Sequence, residues 1–350
     1  MDDVPTLSEM SLVRGLGKGR MGYVKLYRTL SPPSPSSPPL SSFTAVKFIS
    51  RSQASSNGNA KRVFSERNAL LELSKHPYVV DLRGTGKDEE HLYFYMKPLL
   101  GGALHKHFRA EIPGRFAKNK AKHYTAQLAS ALSYLHSLSY LHRDVKASNV
   151  LLDEEGKAVL ADFGYARKVM VGSGGDGKGG RATTFVGTLH AMAPEVLRCE
   201  GGGEGGEGGY GFGADWWALG VLVYEMMTGE PPFGYGVGGE RGSCKERIMG
   251  GGDGAVFEDG IFKGVGASGE DLIRKLLMVE EEDRLTKFEV MKGHEFFEVI
   301  RWEEGEGGWV EVGNEPPEFN TDIGDLEVLE DAVGVGGGEG GGDNNVFAGF

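Results

Sequence analysis

The chain has 350 residues, 39% of them hydrophobic and 25% charged, which suits two domains or one two-lobed unit with a tail and is ample for a buried core. Its net charge of −12 is carried by the last fifty residues: 301–350 hold 13 Asp/Glu and one basic residue, Arg301. The first 300 residues are therefore neutral overall, and no basic stripe supports nucleic-acid binding.

In chain order, Leu12–Leu16 and Tyr23–Arg28 are short β-type runs on either side of a glycine-rich loop. Residues 31–42 are almost all Ser and Pro and read as a solvated excursion between two strands. Phe43–Ile49 resumes as an apolar strand. Ala60–Ser74 has helical spacing, with Val63, Phe64, Leu70, Leu71 and Leu73 able to share a face. Val79–Arg83 and Leu92–Met96 read as further strands. After Pro98 the pattern becomes helical, with an amphipathic segment over Lys118–Leu138 and helices over Ala214–Met227 and Asp271–Met278. The expected organisation is an extension over 1–11, a two-lobed domain over 12–300 and an acidic tail over 301–350. Within the domain, a small β-rich lobe with one main helix runs to about residue 96, a hinge covers 97–100, and a larger helical lobe covers 101–300. The tail reads equally as a solvated segment or as a docking segment. Glycine runs such as Gly172–Gly180 and Gly201–Gly209 read as loops.

Two cysteines, Cys199 and Cys244, give neither a disulfide framework nor metal-ligand spacing. The longest apolar stretch, Trp216–Met227, is broken by Glu225 and is too short to span a bilayer. No signal peptide opens the chain, and Asp2 stands where N-myristoylation needs glycine. The expected compartment is reducing and intracellular, cytoplasmic or nuclear. His76, His136 and His294 are isolated and read as structural.

Four motifs carry chemistry. Gly17, Gly19 and Gly22 let a backbone lie against phosphates, with Val24 placed to roof a base ring; taken alone, the loop reads equally as a hairpin turn. A dinucleotide-binding loop is disfavoured because a strand, not a helix, follows it. Lys47 lies in an apolar strand and needs anions: phosphates on one side, and Glu66 of the following helix on the other. Asp144 in His142-Arg143-Asp144 reads as a base for a hydroxyl, with Lys146 to neutralise charge on a transferring phosphoryl group. Asn149 and the Asp162 of Asp162-Phe163-Gly164 offer the oxygen ligands that magnesium prefers. Further on, a phosphate on Thr184 would pair with Arg143. Glu195 needs a buried cation, for which Arg284 is the candidate.

Set in this order, the motifs resemble those of eukaryotic serine/threonine protein kinases. Thr184-Phe185-Val186-Gly187-Thr188, Asp215-Trp216-Trp217, Gly229-Glu230-Pro231-Pro232-Phe233 and the terminal Phe347-Ala348-Gly349-Phe350 are similar to the AGC group, and within it to the catalytic subunit of cyclic-AMP-dependent protein kinase. The resemblance implies the two-lobed α+β kinase fold, ATP and Mg2+ as cofactors, and Ser/Thr of proteins as substrate. It implies a Lys47–Glu66 ion pair, Asp144 as base with Lys146, and metal on Asn149 and Asp162. Nucleotide contacts would come from Leu16, Gly17, Lys18, Gly19, Gly22, Val24, Ala45, Lys47, Met96 as gatekeeper, the backbones of Lys97 and Leu99, and Leu151. Leu70, Leu82, His142 and Phe163 align with the family's regulatory spine. Thr184 with Arg143 would be the activating phosphosite. Phe347 and Phe350 would fill a pocket on the small lobe, and Pro316–Phe319 resembles an earlier turn of such a tail. Implied partners are a cyclic-AMP-binding regulatory subunit and an upstream phosphoinositide-dependent kinase docking on the tail.

Departures bear on substrate choice. Where the cyclic-AMP-dependent enzymes hold substrate arginines with glutamates, this chain has Ala103 and Ser148, retaining Glu225 as a third acidic position. A weaker or altered preference for basic substrates is expected. His142-Arg143 stands where the nearest relatives usually have Tyr-Arg, and the aromatic residues of the tail segment that covers the nucleotide are not evident in Thr321–Leu329. The rival readings are another AGC kinase without cyclic-nucleotide regulation, and a pseudokinase scaffold with the same fold.

Overall fold

The structure is a computed structural model and describes residues 5–19, 22–30, 42–56, 59–111, 114–169, 180–201, 208–237, 240–250, 262, 264–305 and 309–313. These group into two compact units, one built from 5–75 and Val80–Gly101, the other from His76–Val79 and 102–313.

The first unit is a five-stranded antiparallel sheet with helices. Its strands are β1 (Met10–Gly19), β2 (Gly22–Thr29), β3 (Phe43–Ser50), β4 (Leu82–Lys87) and β5 (His91–Met96), in the order β1-β2-β3-β5-β4. A short helix α1 (Arg51–Ser55) and the longer α2 (Asn59–Leu73) follow β3. Alternation along β3 explains both faces of the sheet. Val46 and Phe48 join Met10, Tyr93 and Tyr95 in one apolar cluster, on which Tyr23 and Tyr27 pack. Val63, Glu66, Ala69, Leu70 and Leu73 form the buried side of α2.

Two details differ from the sequence reading. The strand expected at Val79–Arg83 runs over Leu82–Lys87 instead. Val79 makes only an isolated bridge to Leu160 in the second unit, and Leu160 N–H donates to Tyr78 O at 2.8 Å, so this apolar stretch spends its backbone elsewhere. Helix α1 was not expected, being a single turn too short to show periodicity.

The second unit is mainly helical. Its elements are β6 (Gly102–Ala103), α3 (Leu104–Ala110), α4 (Lys118–Ser137), β7 (Tyr140–Leu141), β8 (Val150–Leu152), β9 (Ala158–Leu160), β10 (Arg167–Lys168), α5 (Pro194–Leu197), α6 (Gly213–Thr228), α7 (Arg241–Met249), α8 (Ala267–Leu276), α9 (Phe288–Lys292), β11 (Trp302–Glu304) and β12 (Val310–Val312). Strands β6, β8 and β9 form a small sheet, and β7 pairs with β10. Helix α6 is buried from Gly213 to Met227, which is why its sequence is apolar on every side. Helix α4 is buried throughout Ala121–Leu132, well beyond the stripe of Ala126, Leu128, Ala129, Leu132 and Leu135. Three of its buried polar side chains are paired, Thr125 with Ala121 O, Gln127 with the N–H of Ala158, and Ser130 with His76 and Val310 O, whereas His123 Nε2 and Tyr124 Oη are buried without a hydrogen bond.

The acidic stretch after residue 300 begins as structure. Strands β11 and β12 form a hairpin that packs on α4. Trp309 lies against His76 and Tyr134, and Val312 N–H donates to Tyr78 Oη at 3.0 Å. Among the described residues, no helix is long and apolar enough to cross a membrane.

Candidate active site

In the first unit, Lys47 stands at the centre of β3, opposite Phe94 of β5 and Val24 of β2. Its Nζ donates to Glu66 Oε1 of α2 at 2.5 Å, with the Glu66 side chain 6% exposed. A buried carboxylate on a helix and an ammonium on the neighbouring strand thus hold each other in place.

The glycines of the loop divide by role. Gly17 has open space where a Cβ would stand, and at Gly19 a Cβ would meet only Gly22 O at 3.9 Å, so a ligand could approach the backbone there. At Gly22 a Cβ would lie 1.7 Å from Phe48 O, so this glycine is required by the pairing of β2 with β3. Leu16 packs beside the cluster of Val13, Leu26, Phe43 and Leu100, and Lys18 pairs with Tyr23 near the tip of the β1–β2 hairpin. Ala45 pairs with Met96 across β3–β5. Lys97 N–H is donated to Asp81 O at 2.9 Å, so any base contact from this backbone position must come from its carbonyl. Leu70 and Leu82 are buried in this unit.

In the second unit, the carboxylate of Asp144 is the hub. Oδ2 accepts from Lys146 Nζ and from Asn149 Nδ2, both at 2.8 Å, while Oδ1 accepts from Thr188 Oγ1 at 2.6 Å. Lys146 Nζ also donates to Thr188 Oγ1 at 2.6 Å. Asn149 Nδ2 donates again to Asp144 O at 2.8 Å, which fixes the amide with Oδ1 as the atom able to ligate a cation. Asp144 is 4% exposed, yet three donors support its charge. Gly187 makes the approach of Thr188 feasible: at φ +117°, a Cβ there would lie 2.6 Å from Arg143 O.

Asp215 at the start of α6 holds the backbone beneath this hub. It accepts from His142 N–H at 2.9 Å, Arg143 N–H at 2.8 Å and His136 Nε2 at 2.9 Å. Burial opposes its charge, but the His136 bond, the nearby histidines and the Arg143 amide hold its carboxyl below the usual carboxylate range. Arg143 has φ +68°, a costly backbone for a non-glycine residue, and Asp215 offsets that cost. In the sequence, Asp215 stands out only as part of Asp215-Trp216-Trp217. The signal was an acid inside an apolar segment, which must find donors when buried.

Asp162 also has a left-handed backbone, φ +57°, and its Oδ1 accepts from Gly164 N–H at 3.4 Å. It is exposed, whereas Phe163 beside it is fully buried against the His142 ring, 4.9 Å between centroids at 75°. Burial lowers the His142 pKa, leaving a neutral ring whose Nδ1 accepts from Asp144 N–H at 3.3 Å. The Asp162 carboxylate is exposed and the Asn149 amide is oriented by Asp144, and each is an oxygen donor of the kind Mg2+ takes. Leu151 lies in β8, half-buried.

Arg143 Nη1 reaches Thr184 Oγ1 at 2.7 Å and Tyr210 Oη at 3.2 Å, and Nε donates to Tyr165 O at 2.6 Å. Tyr210 in turn donates to Thr184 O at 2.8 Å. Tyr210 and Tyr165 were not anticipated. Glu195 pairs with Arg284 through two bonds of 2.7 and 3.1 Å, as expected from sequence. Phe347, Phe350, Pro316–Phe319 and the loop tip at Arg20 and Met21 lie outside the described residues.

The protein kinase domain family matches residues 10–297. Protein kinase 3 of Dictyostelium discoideum is 33% identical over 304 residues, covering 85% of this chain; the chain spans 30% of that protein's length. A Caenorhabditis elegans protein named cAMP-dependent protein kinase, catalytic subunit-like, is 30% identical over 305 residues, 85% of this chain and 67% of that protein. The serine/threonine-protein kinase Sgk2 of Rattus norvegicus is 33% identical over 300 residues, 85% of this chain and 73% of that protein. The chain therefore belongs to the protein kinase family, among the eukaryotic serine/threonine kinases of the AGC group.

Proposed function

We propose that this chain transfers the γ-phosphoryl group of ATP to serine or threonine hydroxyls of proteins. The observation that carries the reading is the Asp144 carboxylate, held by Lys146, Thr188 and Asn149 in one hydrogen-bonded cluster. Asp144 orients the acceptor hydroxyl and takes its proton. Lys146 stabilises charge on the transferring group. Lys47, oriented by Glu66, binds phosphate oxygens, and the open backbone at Gly17 and Gly19 gives those phosphates N–H groups to approach. Asn149 Oδ1 and the Asp162 carboxylate would hold Mg2+, which when bound supplies charge neutralisation across the phosphates.

Thr184 is the proposed activating phosphosite. Arg143 already contacts its hydroxyl, so a phosphate there gains a charge-assisted bond to the residue that precedes Asp144. Regulation by a cyclic-AMP-binding subunit and docking of a phosphoinositide-dependent kinase at Phe347 and Phe350 extend this proposal on resemblance alone, and a cytoplasmic or nuclear address extends it on the sequence features given above.

The test is transfer from Mg-ATP to a degenerate Ser/Thr peptide array, with Asp162→Asn in parallel. Transfer that disappears in the variant supports the reading. Absence of transfer by the natural sequence, with Thr184 phosphorylation confirmed by mass spectrometry, overturns it in favour of a scaffold.

A further inference from the structure

Helix α8 begins without a cap. The residue before it is Gly266, at φ +80°, and no side chain bonds the amides of its first turn. The N–H groups of Gly269 and Glu270 turn back to Gly266 O at 3.1 and 3.0 Å. Those of Ala267 and Ser268 meet no acceptor among the described residues. Such an open start leaves unsatisfied donors and carries partial positive charge.

Cations, not acids, gather at this start. A Cβ at Gly266 would lie 3.1 Å from Lys118 Nζ, and one at Gly264 would lie 2.8 Å from Arg115 Nη2. Lys118 opens α4, whose own first turn has neither an acid nor a side-chain cap. A cation beside the positive end of a helix is unfavourable unless an anion joins it. Glu270, the acid in the first turn of α8, is engaged with Arg274 Nε at 2.9 Å.

Two buried polar side chains complete the arrangement. Lys122, one helical turn after Lys118, is 7% exposed, and Ser268 is 5% exposed. Neither side chain makes a hydrogen bond or an ion pair among the described residues, a costly state for a buried ammonium. Lys122 Nζ stands 5.6 Å from the Phe296 ring centroid, and Cε2 of that ring lies 3.5 Å from where a Cβ of Gly269 would stand, which aims the ammonium at the first turn of α8. Burial and the charge of Lys118 lower the Lys122 pKa; Glu298 and Glu295 act in the other direction without pairing with it. Lys120 of the same helix is spoken for, bonding Glu111 at 2.6 Å.

Gly264, Gly266 and Ala267 are exposed, so a solute can reach this point from outside. Two ammonium groups, two free amides and a hydroxyl suit a compact, doubly charged oxyanion. We propose that the start of α8, with Lys118, Lys122 and Ser268, is a binding site for a dianionic phosphate group on a small soluble molecule. Bound there, the phosphate supplies the cap that α8 lacks and neutralises Lys118 and Lys122. The site shares no residue with the Asp144 cluster or with the Lys47–Glu66 pair, and the proposal does not depend on the kinase reading.

The test is isothermal titration calorimetry of the full chain with inorganic phosphate and, in parallel, with glycerol phosphate, at constant ionic strength. Saturable binding of at least one is expected, and the tighter of the two shows whether the site takes free or esterified phosphate. Lys118→Gln and Lys122→Gln should each weaken binding about tenfold or more, the loss of one charge-assisted bond. Lys120→Gln, Lys122→Arg and Lys47→Met should bind as the natural sequence does, the last of these separating this site from phosphate held by Lys47. Should Lys122→Gln fail to fold, Lys118→Gln, at a half-buried position, decides alone. No saturable binding of either probe overturns the proposal. So does binding that survives Lys118→Gln and is lost in Lys47→Met.

Discussion

Thr188 donates its hydroxyl hydrogen to Asp144 Oδ1 at 2.6 Å while accepting one from Lys146 at the same distance. The threonine lies 44 residues beyond the aspartate, so the segment containing it completes the carboxylate's surroundings. A hydrogen bond to a charged group contributes about 1.5–3 kcal/mol. Thr188→Val should therefore lower kcat roughly 10- to 100-fold by that energy, with Thr188→Ser restoring most of it. Steady-state kinetics on one peptide check this, and an unchanged kcat would refute it.

The pairing of Lys47 with Glu66 predicts non-additivity. Glu66→Gln leaves Lys47 without its 2.5 Å carboxylate partner and should reduce kcat/KM for ATP. If Glu66 acts through Lys47, Lys47→Met combined with Glu66→Gln should be no worse than Lys47→Met alone. Additive losses would show that Glu66 acts independently.

Arg284 is a stability prediction. Its side chain is 0% exposed, it makes two bonds to Glu195, and its guanidinium lies 5.1 Å from the Trp217 ring centroid. Arg284→Met strands a buried carboxylate and should cost about 3–5 kcal/mol. Urea denaturation measures it. A cost below about 1 kcal/mol would contradict the assignment, since that is the value of an exposed pair.

Buried histidines set a pH dependence. Burial takes His76 down to about 3 and His123 down to about 4, while a free histidine titrates near 6.5. Their folded pKa values are depressed, so the unfolded chain binds more protons once the pH drops below about 6.5. The stability they contribute is complete above that pH and is lost progressively as the pH falls towards 3–4. The expected slope is about 1.4 kcal/mol per pH unit for each histidine that stays neutral only when folded. Denaturation midpoints at pH 7 and pH 5 test this. The fall should shrink in His123→Phe, and a flat profile would contradict it.

Much of the site was legible because its chemistry is local in sequence. Asp144, Lys146 and Asn149 lie within six residues, and each bears a group whose charge or amide has an evident task. The Lys47–Glu66 pair could be read from an ammonium in an apolar strand and an acid on the next helix. Thr188 and Tyr210 could not be assigned partners, because a neutral hydroxyl in a loop carries no cost that demands one. Asp215 was legible only in principle, since its donors are backbone amides 72 and 73 residues away. In the fold, long periodic elements such as α2, α4 and α6 were evident. Helices α1 and α5 are too short for periodicity to register. The β11–β12 hairpin was hidden by the acidic composition around Trp302 and Trp309, whose rings, not the charges, fix it in place.

The most direct test of the central claim is single-turnover phosphoryl transfer at saturating Mg-ATP, comparing the natural sequence with Asp144→Asn. The account predicts transfer to a serine peptide by the natural sequence and a rate about 10²–10⁴-fold lower in the variant, the range expected for loss of a general base. Equal rates, or no transfer by either protein, would contradict it.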